Sequence, residues 1–175
     1  MVVAHSELPH SVTGDAEAAR GSDVGERRMR DSGTRAIFGF VAAAISVLTF
    51  HQAMWAFLHF LNLPGMGMPP PYPTAPVPPW GVPRIVDLAF WGGLYGILFG
   101  LALPRLRPPY WLYGLVLGII AAMVGFFVVA PLKGSPVGGG WQANNWMRSL
   151  LINGFWGIGV GLILPLILPR SRRYA

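Results

Sequence analysis

Residues Phe90–Arg105 read FWGGLYGILFGLALPR, and residues Phe155–Arg170 read FWGIGVGLILPLILPR. The two stretches align without a gap and agree at eight of sixteen positions: Phe, Trp, Gly, Gly, Leu, Leu, Pro and Arg. Each is an unbroken apolar run that stops at Leu-Pro-Arg, where a proline and a charge end the helix. Neither run has a polar face to offer water, so both read as membrane-crossing helices. Equal direction and equal stop signals predict a parallel repeat of two helical hairpins about an axis along the membrane normal.

Working outward, the apolar segments number four: 36–61, 85–103, 110–130 and 148–168. Each is close to or above the roughly 20 residues that a helix needs to cross a bilayer. The whole chain of 175 residues is 53% hydrophobic and 11% charged, with a mean hydropathy of +0.50. A soluble domain carries about 25% charged residues, so the expected fold class is an all-α membrane protein with four transmembrane helices. The first segment would be about 39 Å long, more than the roughly 30 Å hydrocarbon core, and should tilt or protrude. Its length also argues against a cleaved signal peptide, whose apolar stretch is about 7–15 residues.

Residues 1–35 hold five Arg against six acids and almost no large apolar side chains. They read as a disordered cytoplasmic tail. Beyond them, eight basic residues face the single acid Asp87. Ten basic residues fall on one side: those of the tail, Arg105, Arg107, Arg170, Arg172 and Arg173. Arg84, Lys133 and Arg148 fall on the other. The positive-inside rule then predicts both termini in the cytoplasm, with a basic end at 170–175 and loops 62–84 and 131–147 outside. Charge at the ends of apolar runs fits lipid headgroups rather than nucleic acid.

The outer loop 62–84 carries nine prolines between Pro64 and Pro83. That density excludes helix and predicts a stiff, extended strap across the outer face. Tyr72, Trp80, Trp141 and Trp146 are placed to form an aromatic belt at headgroup level.

Gly92, Gly96 and Gly100 lie four apart, as do Gly114 and Gly118 and, after Asn153, Gly157 and Gly161. This spacing puts small residues in one groove and lets helix backbones approach. The same faces suit a homo-oligomer or another membrane-protein partner within the bilayer.

Ionisable groups at membrane depth are candidates for function. His51 and His59 lie in the outer half of the first segment, Arg84 and Asp87 open the second, and Arg148 and Asn153 open the fourth. They are expected to gather as a polar or ion site under the strap, with Asp87 balancing Arg84 or Arg148. His51, Met54, His59, Met66 and Met68 offer imidazole and soft thioether ligands of the kind that suit copper, but Met in apolar helices is ordinarily core. His51 and His59 sit on one helix about 12 Å apart along its axis and no other span holds histidine, so a haem would need a homodimer. With no cysteine, one carboxylate beyond the tail and no nucleophile or phosphate motif, neither an enzyme, a metal nor a cofactor is expected.

The stretch from FWGGLYGILFGLALPRLRPPYWLYGLVLG through FFVVAPLKGSP resembles bacterial four-span inner-membrane proteins similar to YagU. The resemblance covers residues 85–137. It implies architecture and a bacterial inner membrane; that family has no settled activity to carry over. The expected function is structural or partner-binding. The alternative is a small-solute or cation transporter using His51, His59 and Asp87.

Overall fold

A computed structural model describes residues 11–169, with side chains from Asp23 onward. The expected basic end at 170–175 lies outside the described residues. Four helical stretches are long and apolar enough to cross a membrane: Asp23–Leu61, Arg84–Arg105, Tyr110–Leu132 and Ala143–Ile167. They are the first to fourth spans below.

The first span begins within α1 (Ser11–Ser46), so the helix starts well before Ala36, where the sequence placed the end of a disordered tail. Every residue from Asp23 to Arg30 is exposed, so no packing recruits this stretch. Local bonds do: Arg27 pairs with Asp23 at 2.9 Å, and Thr34 Oγ1 donates to the Arg30 carbonyl at 2.9 Å. Once the apolar part is helical, each added residue gains a hydrogen bond without a new nucleus. A π-helical turn at Val47–His51 follows, then α2 (Gln52–Leu61), which ends on Asn62 in the left-handed region.

The strap that follows is not uniformly extended. Its centre folds into a short antiparallel ladder of β1 (Pro76–Val77) and β2 (Val82–Pro83), closed by the Gly81 amide on the Val77 carbonyl at 3.0 Å. Trp80 stands at the tip, 86% exposed. The second span is α3 (Arg84–Ala102) with a 3-10 turn at Leu103–Arg105. The third is α4 (Tyr110–Val124), a π-helical turn at Gly125–Val129 and α5 (Ala130–Leu132). The fourth is α6 (Ala143–Ile167), which stops where Leu168, ahead of Pro169, is forced into an extended conformation.

Packing pairs the first span with the second and the third with the fourth; the first and fourth then join the two hairpins. Glycine makes both pairings possible. A Cβ added at Gly96 would strike the Gly39 carbonyl, and one at Gly100 the Arg35 carbonyl. In the other hairpin, Gly114 and Gly157 face each other's carbonyls, Gly118 meets that of Asn153, and Gly161 that of Tyr110. Gly92 packs on Val47 and Trp156. Each of the seven glycines thus has a neighbour within the chain at its Cβ position.

Between the hairpins lies a core of Ala42, Ala43, Val47, Phe99, Trp156, Val160 and Leu164. Two reciprocal hydrogen bonds cross it: Ser46 Oγ donates to the Trp156 carbonyl at 2.6 Å, and Trp156 Nε1 donates to the Ala43 carbonyl at 3.1 Å. Ser46 is fully buried, so its hydroxyl has no water to turn to.

Gly114→Ala and Gly157→Ala are each expected to cost about 1–3 kcal/mol through overpacking. Gly125→Ala, with open space around its Cβ, is expected to be no less stable than wild type. Thermal unfolding in detergent checks this; equal transitions for all three would show that the glycine contacts carry no stability.

Candidate functional site

At the strap end the four spans part around a cavity of about 950 Å³. Each span contributes to its wall: His51 and Trp55, then Arg84, then Phe126, then Arg148, Ser149, Ile152 and Asn153. Met68, Pro69 and Pro73 of the strap close one side, and Gly139, Gly140 and Gln142 of the last loop another. Of the six residues expected to form a polar site, His51, Arg84, Arg148 and Asn153 line this cavity. His59 and Asp87 do not.

Asp87 accepts a hydrogen bond from Trp91 Nε1 one turn along α3, at 3.0 Å. It pairs with neither Arg84 nor Arg148 among the described residues. His59 Nδ1 donates to the Met68 carbonyl at 2.6 Å and so pins the strap instead of facing the cavity. Met66 and Met68 pack with Leu58 and Ile152 as an apolar cluster.

The π-helical turn in the first span explains how the strap is held. The Gln52 amide bonds to the carbonyls of Val47 and Thr49 and passes over that of Leu48. The hydroxyl of Tyr72 donates to the Leu48 carbonyl at 3.0 Å. Gln52, 1% exposed, then divides its amide group. Its Oε1 accepts the Tyr72 N–H at 2.7 Å, and its Nε2 lies 3.2 Å from His51 Nδ1. With an amide donor on Nδ1, a neutral His51 carries its proton on Nε2. Trp55 Nε1 adds a bond to the Pro69 carbonyl at 2.9 Å.

The opposite wall depends on a left-handed turn. Gly138, Gly139 and Gly140 have φ of 62°, 60° and 68°, a run that side chains disfavour. The turn aims its carbonyls at α6, where Trp146 Nε1 bonds Gly138 and Asn145 Nδ2 bonds Gly139, both at 2.8 Å. Trp146 stacks on Phe126 at 4.8 Å and on Trp141 at 5.8 Å. Asn145 Oδ1 in turn receives Arg148 Nη2 at 3.2 Å, while Arg148 Nη1 lies 3.9 Å from Met68 Sδ. Asn153 Nδ2 donates to the Ser149 carbonyl at 2.9 Å.

Sequence reasoning missed Asn145, Ser149 and Gln142 as wall residues, and Gln52 with Tyr72 as the strap's anchor. The first of these had a signal. Asn145, Arg148, Ser149, Ile152 and Asn153 follow the i, i+3, i+4, i+7, i+8 spacing of one helix face. The anchor had none, because a π-helical turn leaves no mark in the residue pattern.

Comparison of the chain with protein-family models, with curated proteins and with solved structures gives no match. The reading of the site therefore rests on its own geometry.

Tyr72→Phe removes the donor to the Leu48 carbonyl, an exposed hydrogen bond, and is expected to cost about 0.5–1.5 kcal/mol. Amide exchange should rise around Tyr72 and stay unchanged at Gly114–Gly118. Unaltered exchange across the strap would show that the hydroxyl does not hold it.

Proposed function

We propose that the protein is a ligand-binding multi-pass protein of a bacterial inner membrane, with the strap and its cavity on the outer face and both termini in the cytoplasm. The observation that carries this reading is the cavity itself. Spans that pack backbone to backbone in two pairs all contribute to its wall, and the strap beside it is bonded to the first span by Trp55 Nε1 on the Pro69 carbonyl. Its volume falls in the range of about 300–1,000 Å³ typical of small-molecule sites, and its wall mixes apolar rings with a few polar groups, as such sites do.

Three further features support the placement. The asymmetry of basic residues favours cytoplasmic termini. The resemblance of residues 85–137 to YagU-like proteins supports a bacterial inner membrane. The two π-helical turns, one in the first helix of each hairpin, support a parallel repeat. Binding fits the geometry better than cation transport, because Asp87 is not part of the cavity wall.

A partner-binding scaffold is the second reading. It is favoured by the third span, of whose apolar window only 17% is buried within the chain. Leu112, Val116, Ile119, Ile120 and Phe127 are exposed there, to lipid or to a membrane-protein partner.

The chain has no cysteine, so single cysteines report without interference. Thr74→Cys is expected to react with a membrane-impermeant maleimide on intact spheroplasts, and Arg107→Cys only after permeabilisation. Ser149→Cys should react with a small methanethiosulfonate reagent from the outside. Protection of Ser149→Cys until the protein is denatured would mean a sealed site and would overturn the binding reading; the reverse pattern for Thr74→Cys and Arg107→Cys would invert the topology.

A further inference from the structure

The charges around the cavity are of one sign. Arg84 and Arg148 line it, and no Asp or Glu is among the lining residues. Neither arginine has a carboxylate partner among the described residues. Arg148 is held by neutral groups only, the Asn145 side-chain oxygen and the Met68 thioether. Arg84 is exposed and Arg148 half-buried, and a concave wall carrying charge of one sign concentrates anions.

The helices add to the same field. The second span starts at Arg84 and the fourth at Ala143, so two long helices turn their N-terminal ends toward the cavity. In α3 the first two amides are already engaged, Arg84 N–H on Ala75 and Ile85 N–H on Pro73, and in α6 Asn145 N–H bonds Gln142. The helix ends therefore contribute positive potential, and the side chains make the contacts.

Two guanidinium groups match a dianion better than a monoanion. A phosphate monoester carries about −1.5 to −2 charges at neutral pH and accepts forked N–H donors. A carboxylate would leave one arginine uncompensated. The remaining wall, with Trp55, Phe126, Ile152 and Pro69, suits an apolar body.

Building on the binding reading above, we propose that the cavity takes a phosphate monoester with an apolar substituent, its phosphoryl oxygens held by Arg84 and Arg148. Such a group can come from the outer leaflet, as a monoester phospholipid, or from water, as a soluble aryl or alkyl phosphate.

Calorimetric titration of the purified full chain with phenyl phosphate tests the soluble source. Native mass spectrometry from phosphatidylcholine nanodiscs doped with phosphatidic acid tests the lipid source. Binding in either arm, weakened about tenfold or more by Arg84→Gln and by Arg148→Gln and unchanged by Arg105→Gln at the opposite end, is the expected result. Arg84→Lys, which keeps the charge, should restore part of the affinity and separate lost binding from lost folding. Absence of binding in both arms, or binding indifferent to both glutamine variants, overturns the proposal. Benzyltrimethylammonium, a cation with an equally apolar body, distinguishes the two failures. If it alone binds, and Ser149→Trp blocks it, the cavity is a binding site but not for anions. If neither it nor the phosphates bind, the binding reading falls as well.

Discussion

Backbone contact between helices at glycine is the constraint on which the rest of the structure depends. Lipid tails are as apolar as the side chains they would replace, so hydrophobicity gives these helices little reason to associate. Close approach supplies dispersion and weak hydrogen bonds in its place. Gly96 against Gly39 closes one hairpin, and Gly114 against Gly157 closes the other. With the pairs fixed, the interface between hairpins is left to larger groups, and Ser46 and Trp156 bond across it in both directions. The seams lie toward one end of the bundle, and at the other end the spans are free to diverge.

Divergence creates a polar problem that the strap solves. A proline-rich loop has few amide donors to satisfy, so it can lie over helix ends with little backbone demand. The donors it keeps are used: the Tyr72 amide reaches Gln52, and the Tyr72 hydroxyl reaches the carbonyl that the π-helical turn passes over. The strap is thus bonded to the first span at the very place where that span departs from α geometry. Met66 and Met68 fill the space beneath it, the ordinary use of a flexible thioether side chain.

Much of this was legible in the residues. Four apolar runs of bilayer length gave the helices, because such a run is a one-dimensional pattern with one physical meaning. Four of the six polar residues singled out do meet in one cavity, since depth in a span is also readable from sequence. What failed was facing. Asp87 and His59 share the depth of the others but turn to Trp91 and Met68, and a spacing argument does not fix the rotation of a helix. The helical start at Ser11 was hidden too, because composition speaks to burial and not to the propagation of a helix already nucleated.

The π-helical turn at Val47–His51 has a consequence for how this architecture tolerates change in length. Each residue of an α-helix advances the chain by about 100° of rotation, so one residue fewer in that turn would swing everything after it by roughly a quarter of a circle. Gln52 would leave Tyr72, and His51 would leave the cavity wall. The aim of the strap end is therefore encoded in residue count as much as in residue identity: substitutions along this segment are local events, whereas a single deletion redirects the whole distal helix.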